Sequence, residues 1–461
     1  MSVPADPWSR AQRTTAVPVT RSKISRPAPA RITRSSRPVK SRRPLVIRVI
    51  GCLMVAGSSV PTPVEAMHYE HQLIAIADNI RHGYVDSALT GARALVERHP
   101  ESRLARMMYA DLLSARLSRL PDVGAGTTLS DTVEVVDLRE ELIARWNRLK
   151  SDPVTSGEKL PNSLLQPATS TEHVVFADLS QSRLYLYEND QGNLRLVNDF
   201  YVTQGLNGPG KEREGDQRTP VGVYYVTGYI PGNTLPSRYG PGALPISYPN
   251  PIDQRYQRTG YGIWIHGTEP FLLNRAPRAS DGCLSLNNND FNRLTQAIGH
   301  PRHTPVVIDD SPTWVSAREI EVNRKELLTA IENWRADWES LDANAYLSHY
   351  DSEHFSDGSQ NYNAWAARKR SILAFKRRID VALRDIEMFA YPGEQDTVLV
   401  DFEQTFISPT FSSTIRKQQF WRRGDSGTWR IIFEGASEKS PPPAVVNESV
   451  EPIEQTDPAS S

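Results

Sequence analysis

The chain has 461 residues, enough for two or three domains, and its 53 lysines and arginines nearly balance its 54 aspartates and glutamates. The balance is uneven, because residues 1–48 carry ten arginines and two lysines against one acid, Asp6. The remainder of the chain is therefore acidic. The whole chain has only two cysteines, which excludes a disulfide-rich scaffold.

Residues 1–66 are predicted to be a disordered basic arm followed by an export segment. The arm is rich in Pro, Ser and Thr and has almost no apolar face, so it should not fold alone. The apolar stretch VIGCLMVAG, residues 49–57, is shorter than the roughly 20 residues that a transmembrane helix needs. We expect export to the periplasm with cleavage near Ala66.

Several alternatives stay open for this segment. An uncleaved anchor through residues 45–60 is one, and a lipobox-like VIGC ending at Cys52 is another. The stretch SRRPLV, residues 41–46, loosely resembles a twin-arginine signal. A basic arm also suits nucleic acid or anionic lipid, but export would remove it, so no nucleic-acid partner is predicted.

Residues 67–150 are predicted to be helical. Apolar residues recur at i, i+3/i+4 and i+7, with Gly83 and Pro100 marking the ends of successive helices. The pattern resembles a tetratricopeptide-like hairpin that is too short to stand alone. A further helix is predicted over residues 136–150, and residues 151–171 have the composition of a linker.

The periodicity changes to two in residues 172–310. Leu184 and Leu186 alternate with Tyr185 and Tyr187, and a hairpin turn follows at residues 190–192. Further short strands with Gly and Pro turns predict a mostly antiparallel β domain.

Residues 320–435 read as helices followed by a strand meander, which predicts an α+β cone. Trp334 and Trp338 lie on one helical stripe and are most simply core residues. The segment resembles NTF2-like domains. The tail 436–461, with Pro441–Pro443, is predicted to be disordered.

The chemistry is expected at Cys283 and His266, 17 residues upstream of it. A nucleophilic cysteine needs a base within hydrogen-bond reach and oxyanion donors nearby. Here the histidine ends a predicted strand, and the cysteine follows a tight Ser-Asp-Gly turn. That turn can direct the N–H groups of Gly282 and Cys283 at one place, and a cysteine paired with protonated histidine is a thiolate at neutral pH.

Three segments carry a family resemblance: RTPVGVYYV (218–226), IHG (265–267) and SDGCLSL (280–286). In this order and spacing they resemble the signature segments of the L,D-transpeptidase (YkuD) catalytic domain. The resemblance implies that Cys283 forms a thioester with a peptidoglycan stem peptide and that His266 is its general base and acid. It further implies that the Gly267 carbonyl orients His266, that Gly282 and Cys283 form the oxyanion hole, and that no cofactor or metal is needed. The implied scaffold beneath the site is Thr219, Pro220 and Gly222.

The sequence departs from the usual family pattern at Asp281, in place of a histidine, and at Ser285, in place of an arginine. Both positions, with Ser280, are expected in the substrate cleft. An acid beside the thiol should raise the thiol pKa. Arg275 and Arg278 are expected either to supply the missing positive charge for a substrate carboxylate or to be solvated loop arginines.

Other candidates are weaker. His300 and His303 have a spacing that some metals use, but they lack further ligands, so surface histidines are preferred. Asp216 precedes the first signature segment and is interpreted as a turn-forming acid.

The sequence thus predicts a multidomain cysteine acyltransferase of the cell wall: a helical hairpin segment, a mostly antiparallel YkuD-type domain and an α+β NTF2-like cone. The acceptor of the acyl group is left open among diaminopimelate, giving a 3→3 cross-link, a lysine of a wall-anchored lipoprotein, and water. Water would make the enzyme a carboxypeptidase or an amidase. A non-catalytic wall-binding scaffold is the alternative from another class.

Overall fold

The computed structural model describes residues 63–116, 132–150 and 159–439. The predicted basic arm and most of the export segment lie outside these residues, as does the tail from 440 onward. The region around the expected cleavage point, residues 63–66, belongs to the first helix. None of the helices in the described ranges is both long enough and apolar enough to cross a membrane.

The N-terminal segment is helical, as predicted. Its helices are α1 (Pro63–Arg81), α2 (Val85–Arg98), α3 (Arg103–Ala115) and α4 (Val133–Lys150). Gly83, at φ +79°, turns the chain between α1 and α2, and the Ser102 hydroxyl caps α3 by accepting from Ala105 N–H. The helices bury a common apolar cluster built around Leu73, Leu95, Leu104, Met108 and Leu142.

The central segment, residues 159–316, is rich in short strands. In chain order these are β1 (Lys159–Pro161), β2 (His173–Asp178), β3 (Arg183–Asp190), β4 (Asn193–Tyr201), β5 (Gln204–Gly205), β6 (Gly222–Tyr225), β7 (Ile230–Pro231), β8 (Gly242–Pro245), β9 (Trp264–His266), β10 (Arg278–Ser280), β11 (Leu284–Ser285), β12 (Pro305–Asp309) and β13 (Trp314–Ser316). Two helices interrupt them, α5 (Pro251–Arg255) and α6 (Asn288–Ile298).

Two main sheets organise this segment. The larger has the order β4-β3-β2-β12-β6 and the smaller the order β11-β9-β8-β7. Most pairs are antiparallel, as expected, but β12 with β2, β11 with β9 and β10 with β5 are parallel, so the sheets are mixed. The predicted linker is partly folded, because β1 pairs with β13 and Leu164 is buried.

The larger sheet is covered on both faces. Leu184 and Leu186 belong to a core shared with the smaller sheet and with α6, whereas Tyr185 and Tyr187 face the C-terminal segment. This is the predicted alternation of β3. Helix α6 was not predicted from the sequence; it begins after Asn287, whose side chain caps Asp290 N–H, and it buries an apolar stripe of Phe291, Leu294 and Ile298.

The C-terminal segment is the predicted α+β unit. Its elements are α7 (Ala317–Glu339), α8 (Ala343–Leu347), α9 (Tyr362–Ala374), β14 (Asp380–Ala390), β15 (Thr397–Ser408), β16 (Phe411–Arg423) and β17 (Trp429–Ala436). The four strands form an antiparallel sheet in sequence order. Trp334 and Trp338 are buried in its core, as expected.

Buried charged groups join the three segments. Arg183 of β3 contacts Glu70 of α1 at 2.9 Å, and Arg145 of α4 contacts the same carboxylate at 3.1 Å. On the opposite side, Glu387 of β14 is fully buried and bonds Tyr225 Oη (2.9 Å), Thr171 Oγ1 (2.8 Å) and Lys439 Nζ (2.8 Å).

The packed structure extends further along the chain than the sequence predicted, as far as Lys439. The sequence placed a disordered tail from residue 436, but Ala436 ends β17 and Ser437 and Lys439 are buried. Residues 436–439 therefore belong to the packed structure, because Lys439 neutralises the buried Glu387 carboxylate.

We expect Gly222→Ala to lower the free energy of unfolding by about 2 kcal/mol. Gly222 has φ +150°, and an added Cβ would lie 2.5 Å from Tyr391 Oη of the C-terminal segment. Gly228→Ala is the matched control, since nothing lies within 4 Å of its added Cβ. Chemical denaturation of both variants measures the difference. Equal stabilities would show that the Gly222–Tyr391 approach does not constrain this interface.

Candidate functional site

The parallel pairing of β11 with β9 brings Cys283 and His266 to neighbouring strands. Ser285 lies in register with His266, and Leu284 with Ile265. Because side chains alternate along a strand, Ile265 and Leu284 point into the core, while the residues flanking them face the other way. Cys283, immediately before β11, and His266 are therefore diagonal neighbours on the same face of the smaller sheet.

His266 is buried and held in one tautomer. Its Nδ1–H donates to the Gly267 carbonyl at 2.6 Å, which leaves Nε2 as the atom with a free lone pair. The edge of the Tyr239 ring packs against the imidazole, with centroids 4.9 Å apart. Burial, helped by the charge of Arg275, lowers the pKa of His266 to about 4, although the hydrogen bond to Gly267 opposes the change. The ring is therefore neutral at pH 7 and suited to accept a proton.

A tight turn over residues 280–283 holds Cys283. The Ser280 hydroxyl donates to the Cys283 carbonyl at 2.6 Å and accepts from Gly282 N–H at 3.1 Å. Thr219, fully buried, donates from its hydroxyl to the Gly282 carbonyl at 3.0 Å. Gly282 has φ +122°, and an added Cβ would lie 2.6 Å from the Arg218 carbonyl oxygen. The first signature segment thus forms the floor of this turn.

These contacts correct two expectations. The Gly282 N–H is bonded to Ser280, so it is not directed at an incoming carbonyl as an oxyanion donor. Ser280 itself is buried, and its hydroxyl closes the turn instead of facing a substrate. Both residues position Cys283.

Cys283 is half-buried, and its surroundings favour the thiol over the expected thiolate. Its Sγ donates to the Gly262 carbonyl at 3.4 Å. Burial raises the pKa of the Cys283 thiol to about 11, and the neighbouring Asp281 carboxylate adds to the rise. Because His266 is neutral, it supplies no positive charge that would offset this effect.

The two residues that depart from the family pattern occupy different environments. Asp281 is exposed and accepts a hydrogen bond from Gln217 Nε2 at 3.2 Å. Ser285 is buried, and its hydroxyl donates to the Gly267 carbonyl at 3.0 Å. The carbonyl that orients His266 therefore has two donors, and Ser285 is placed to position the histidine rather than to contact substrate.

The two candidate arginines also differ. Arg275 is committed to the protein, because it bonds the Glu269 carboxylate at 2.9 Å, Thr268 Oγ1 at 3.0 Å and the Arg238 carbonyl at 3.0 Å. It is therefore unavailable for a substrate carboxylate. Arg278 is exposed at the start of β10 and has no ion-pair partner in the described parts of the chain.

Asp216 organises the loop before the first signature segment, as the interpretation of a turn-forming acid predicted. Its carboxylate bonds Lys211 Nζ at 2.8 Å and accepts from the N–H groups of Glu212, Arg213 and Arg218. Although burial opposes the change, these hydrogen bonds lower the pKa of Asp216 to about 2. Sequence reasoning missed Lys211, whose buried ammonium signals a fixed loop.

Metal ligation finds no support in the described ranges, where no group of three histidine, cysteine, aspartate or glutamate side chains could hold an ion. His300 and His303 lie in the loop between α6 and β12, and His303 has φ +70°.

Two segments of the chain match known protein families. Residues 172–308 match the L,D-transpeptidase catalytic domain family YkuD, and residues 326–435 match the Cds6 C-terminal NTF2-like domain. Bd1075 of Bdellovibrio bacteriovorus is 27% identical, with a TM-score of 0.54 over 61% of this chain and 98% of that chain. The helical cell shape determining protein Pgp2 of Campylobacter jejuni is 25% identical, with a TM-score of 0.52 over 59% of this chain and 95% of that one. No curated protein matches the chain.

The protonated thiol gives a direct prediction for alkylation. The rate at which iodoacetamide modifies Cys283 should keep rising with pH beyond 9, towards a midpoint near 11, because the thiolate is the reacting species. Peptide mass spectrometry separates Cys283 from Cys52, and free glutathione is the control for the reagent. A plateau reached by pH 7 would instead indicate a preformed thiolate–imidazolium pair.

Proposed function

We propose that this chain, which carries a YkuD L,D-transpeptidase catalytic domain followed by a Cds6-type NTF2-like domain, is an extracytoplasmic cysteine acyltransferase acting on peptidoglycan stem peptides. The observation that supports this most strongly is the pairing of β9 with β11. It brings the Cys283 thiol to the same face of the sheet as His266, a buried neutral histidine whose Nε2 can take a proton.

Acylation begins from the neutral pair. As Cys283 Sγ attacks the carbonyl of the third stem-peptide residue, its proton leaves the Gly262 carbonyl and passes to His266 Nε2. The tetrahedral intermediate then collapses, the bond to the terminal D-alanine breaks, and His266 returns the proton to the departing amine. The products are a Cys283 thioester and free D-alanine.

We assign the developing oxyanion to the backbone N–H of Cys283.

Transfer reverses these roles. An acceptor amine attacks the thioester, His266 takes the proton of that amine, and the proton returns to Cys283 Sγ as the thiol leaves. We propose an amine acceptor, either a second stem peptide, which gives a 3→3 cross-link, or a lysine of a wall-anchored lipoprotein. Water at the same step would make the enzyme a carboxypeptidase or an amidase.

The similarity to Pgp2, described as a helical cell shape determining protein, supports a role in cell shape. Such a role suits an enzyme that changes which stem peptides are cross-linked. Wall chemistry of this kind takes place outside the cytoplasm, as the predicted export segment requires.

Mass spectrometry of the protein incubated with a disaccharide-tetrapeptide tests the proposal. We expect a dimer that has lost one D-alanine, formed by the native protein and absent with Cys283→Ala. Loss of D-alanine without a dimer would identify water as the acceptor. An unchanged substrate, with no acyl adduct on Cys283, would favour the non-catalytic scaffold.

Arg278→Gln should raise KM for the tetrapeptide about tenfold while leaving kcat nearly unchanged, because a charge-assisted hydrogen bond to a carboxylate is lost. Arg195→Gln is the matched control, since Arg195 is an exposed arginine of β4 whose ion pair is with Glu188. Steady-state release of D-alanine measures both constants. Equal KM values for the two variants would remove Arg278 from the substrate site.

A further inference from the structure

A polar cavity of about 650 Å³ lies where the central and C-terminal segments meet. Its walls come from the chain around β1, the end of β12, α7, the turn between β14 and β15, and the β16–β17 hairpin. Its volume lies within the range of small-molecule sites, roughly 300–1,000 Å³. It contains neither Cys283 nor His266, so it is separate from the catalytic pair.

Three side-chain amides from different segments line this cavity. Asn162 follows β1, Asn323 lies on α7, and Gln395 lies in the turn between β14 and β15. Asn323 and Gln395 are exposed, and within the described residues the side chain of none of the three makes a hydrogen bond to the protein. Each amide offers both a donor and an acceptor.

Two further polar groups of the lining lack partners although they are shielded from solvent. Ser163 is 2% exposed, and its hydroxyl makes no hydrogen bond. The indole Nε1–H of Trp429 is also unbonded. A shielded polar group without a partner costs about 1–3 kcal/mol, so each would gain from an occupant that approaches it.

The charges of the lining exclude an anionic ligand. Four carboxylates, those of Asp309, Glu326, Glu394 and Asp396, line the cavity with one cation, Arg423, and Glu394 is also paired with Arg258, outside the lining, at 3.4 Å. Arg423 is already paired with Glu326 at 3.2 Å. The carboxylates of a stem peptide would be repelled here, whereas a neutral ligand with many hydroxyl groups could bond amides, carboxylates and the indole alike.

We propose that this cavity binds a neutral saccharide, namely the N-acetylated amino-sugar chain that carries the stem peptide. The identity of the sugar rests on the proposed function, because a peptidoglycan enzyme meets glycan and peptide together. The saccharide would hydrogen-bond Asn162, Asn323 and the Trp429 indole, and the peptide would enter the Cys283 cleft.

The cavity and the turn that carries Cys283 are connected through the first signature segment, residues 218–226. The turn that lines the cavity packs on the first signature segment: a Cβ on Gly393 would lie 3.2 Å from Val221, and Tyr391 Oη approaches Gly222. Thr219, two residues before Val221, holds the Gly282 carbonyl. A sugar bound to the turn would therefore bind an element that packs on the segment supporting Cys283.

The test is a ligand-observed NMR titration of the full chain with chitotetraose, an N-acetylglucosamine tetramer that has no stem peptide. We expect saturable binding that Asn323→Ala and Trp429→Phe each weaken about fivefold, the effect of one lost hydrogen bond. Asn363→Ala, at an exposed asparagine of α9, should leave the dissociation constant unchanged.

Absence of saturable binding, or equal affinity in all three variants, would overturn the proposal. So would displacement of chitotetraose by free tetrapeptide, since that places the sugar in the catalytic cleft. Formation of the Cys283 thioester is measured separately by intact mass with the disaccharide-tetrapeptide. An acyl adduct without chitotetraose binding therefore overturns the saccharide site alone, and chitotetraose binding without an adduct overturns the proposed catalysis alone.

Discussion

The site depends on a two-residue strand that is held from both sides. Ser285 exchanges backbone hydrogen bonds with Thr203, at 2.9 and 3.0 Å, while Leu286 N–H donates to the His266 carbonyl at 2.9 Å. These bonds fix where β11 begins, and so they fix the turn that carries Cys283. Without them only Ser280 and Thr219 would hold the turn, and the Gly267 carbonyl would lose its second donor, the Ser285 hydroxyl. Geometry set by main-chain pairing is less sensitive to side-chain change than geometry set by loops.

The second constraint is the burial of charge at the two domain junctions. Arg183 and Arg145 meet at Glu70, and Glu387 is enclosed by Tyr225, Thr171 and Lys439. Removing one partner of a buried ion pair leaves an uncompensated charge, which costs several kcal/mol. Such buried pairs therefore favour a single relative position of the segments, because any shift would separate the charges. The larger sheet of the central domain is therefore fixed by its neighbours on both sides, and its strands provide a stable base for the catalytic turn.

The sequence was informative where chemistry needs particular residues at particular spacings. The Thr-Pro-Val-Gly, Ile-His-Gly and Ser-Asp-Gly-Cys segments singled out a histidine and a cysteine that the structure brings to neighbouring strands, and the change of periodicity predicted the β-rich segment. It was uninformative where a role depends on distant partners. From the sequence, Arg275 was a candidate for binding a substrate carboxylate. In the structure its guanidinium bonds Glu269, Thr268 and the Arg238 carbonyl instead. Helix α6 was overlooked although its sequence signals it, with Asn287 as N-cap and Phe291, Leu294 and Ile298 at i, i+3 and i+7. The parallel pairs follow from chain crossings that no local pattern records.

The protonated state of Cys283 has a consequence for the durability of the protein. Peroxides and disulfides react with thiolates, and a thiol with a pKa near 11 is ionised in only about one molecule in ten thousand at pH 7. A resting thiolate would be steadily consumed in an oxidising compartment that has little reducing power. Burial of the thiol against the Gly262 carbonyl thus favours the protonated sulfur, which is oxidised more slowly than a thiolate. In the proposed mechanism His266 takes the proton as the sulfur attacks a bound carbonyl, so the sulfur is strongly nucleophilic only during that step.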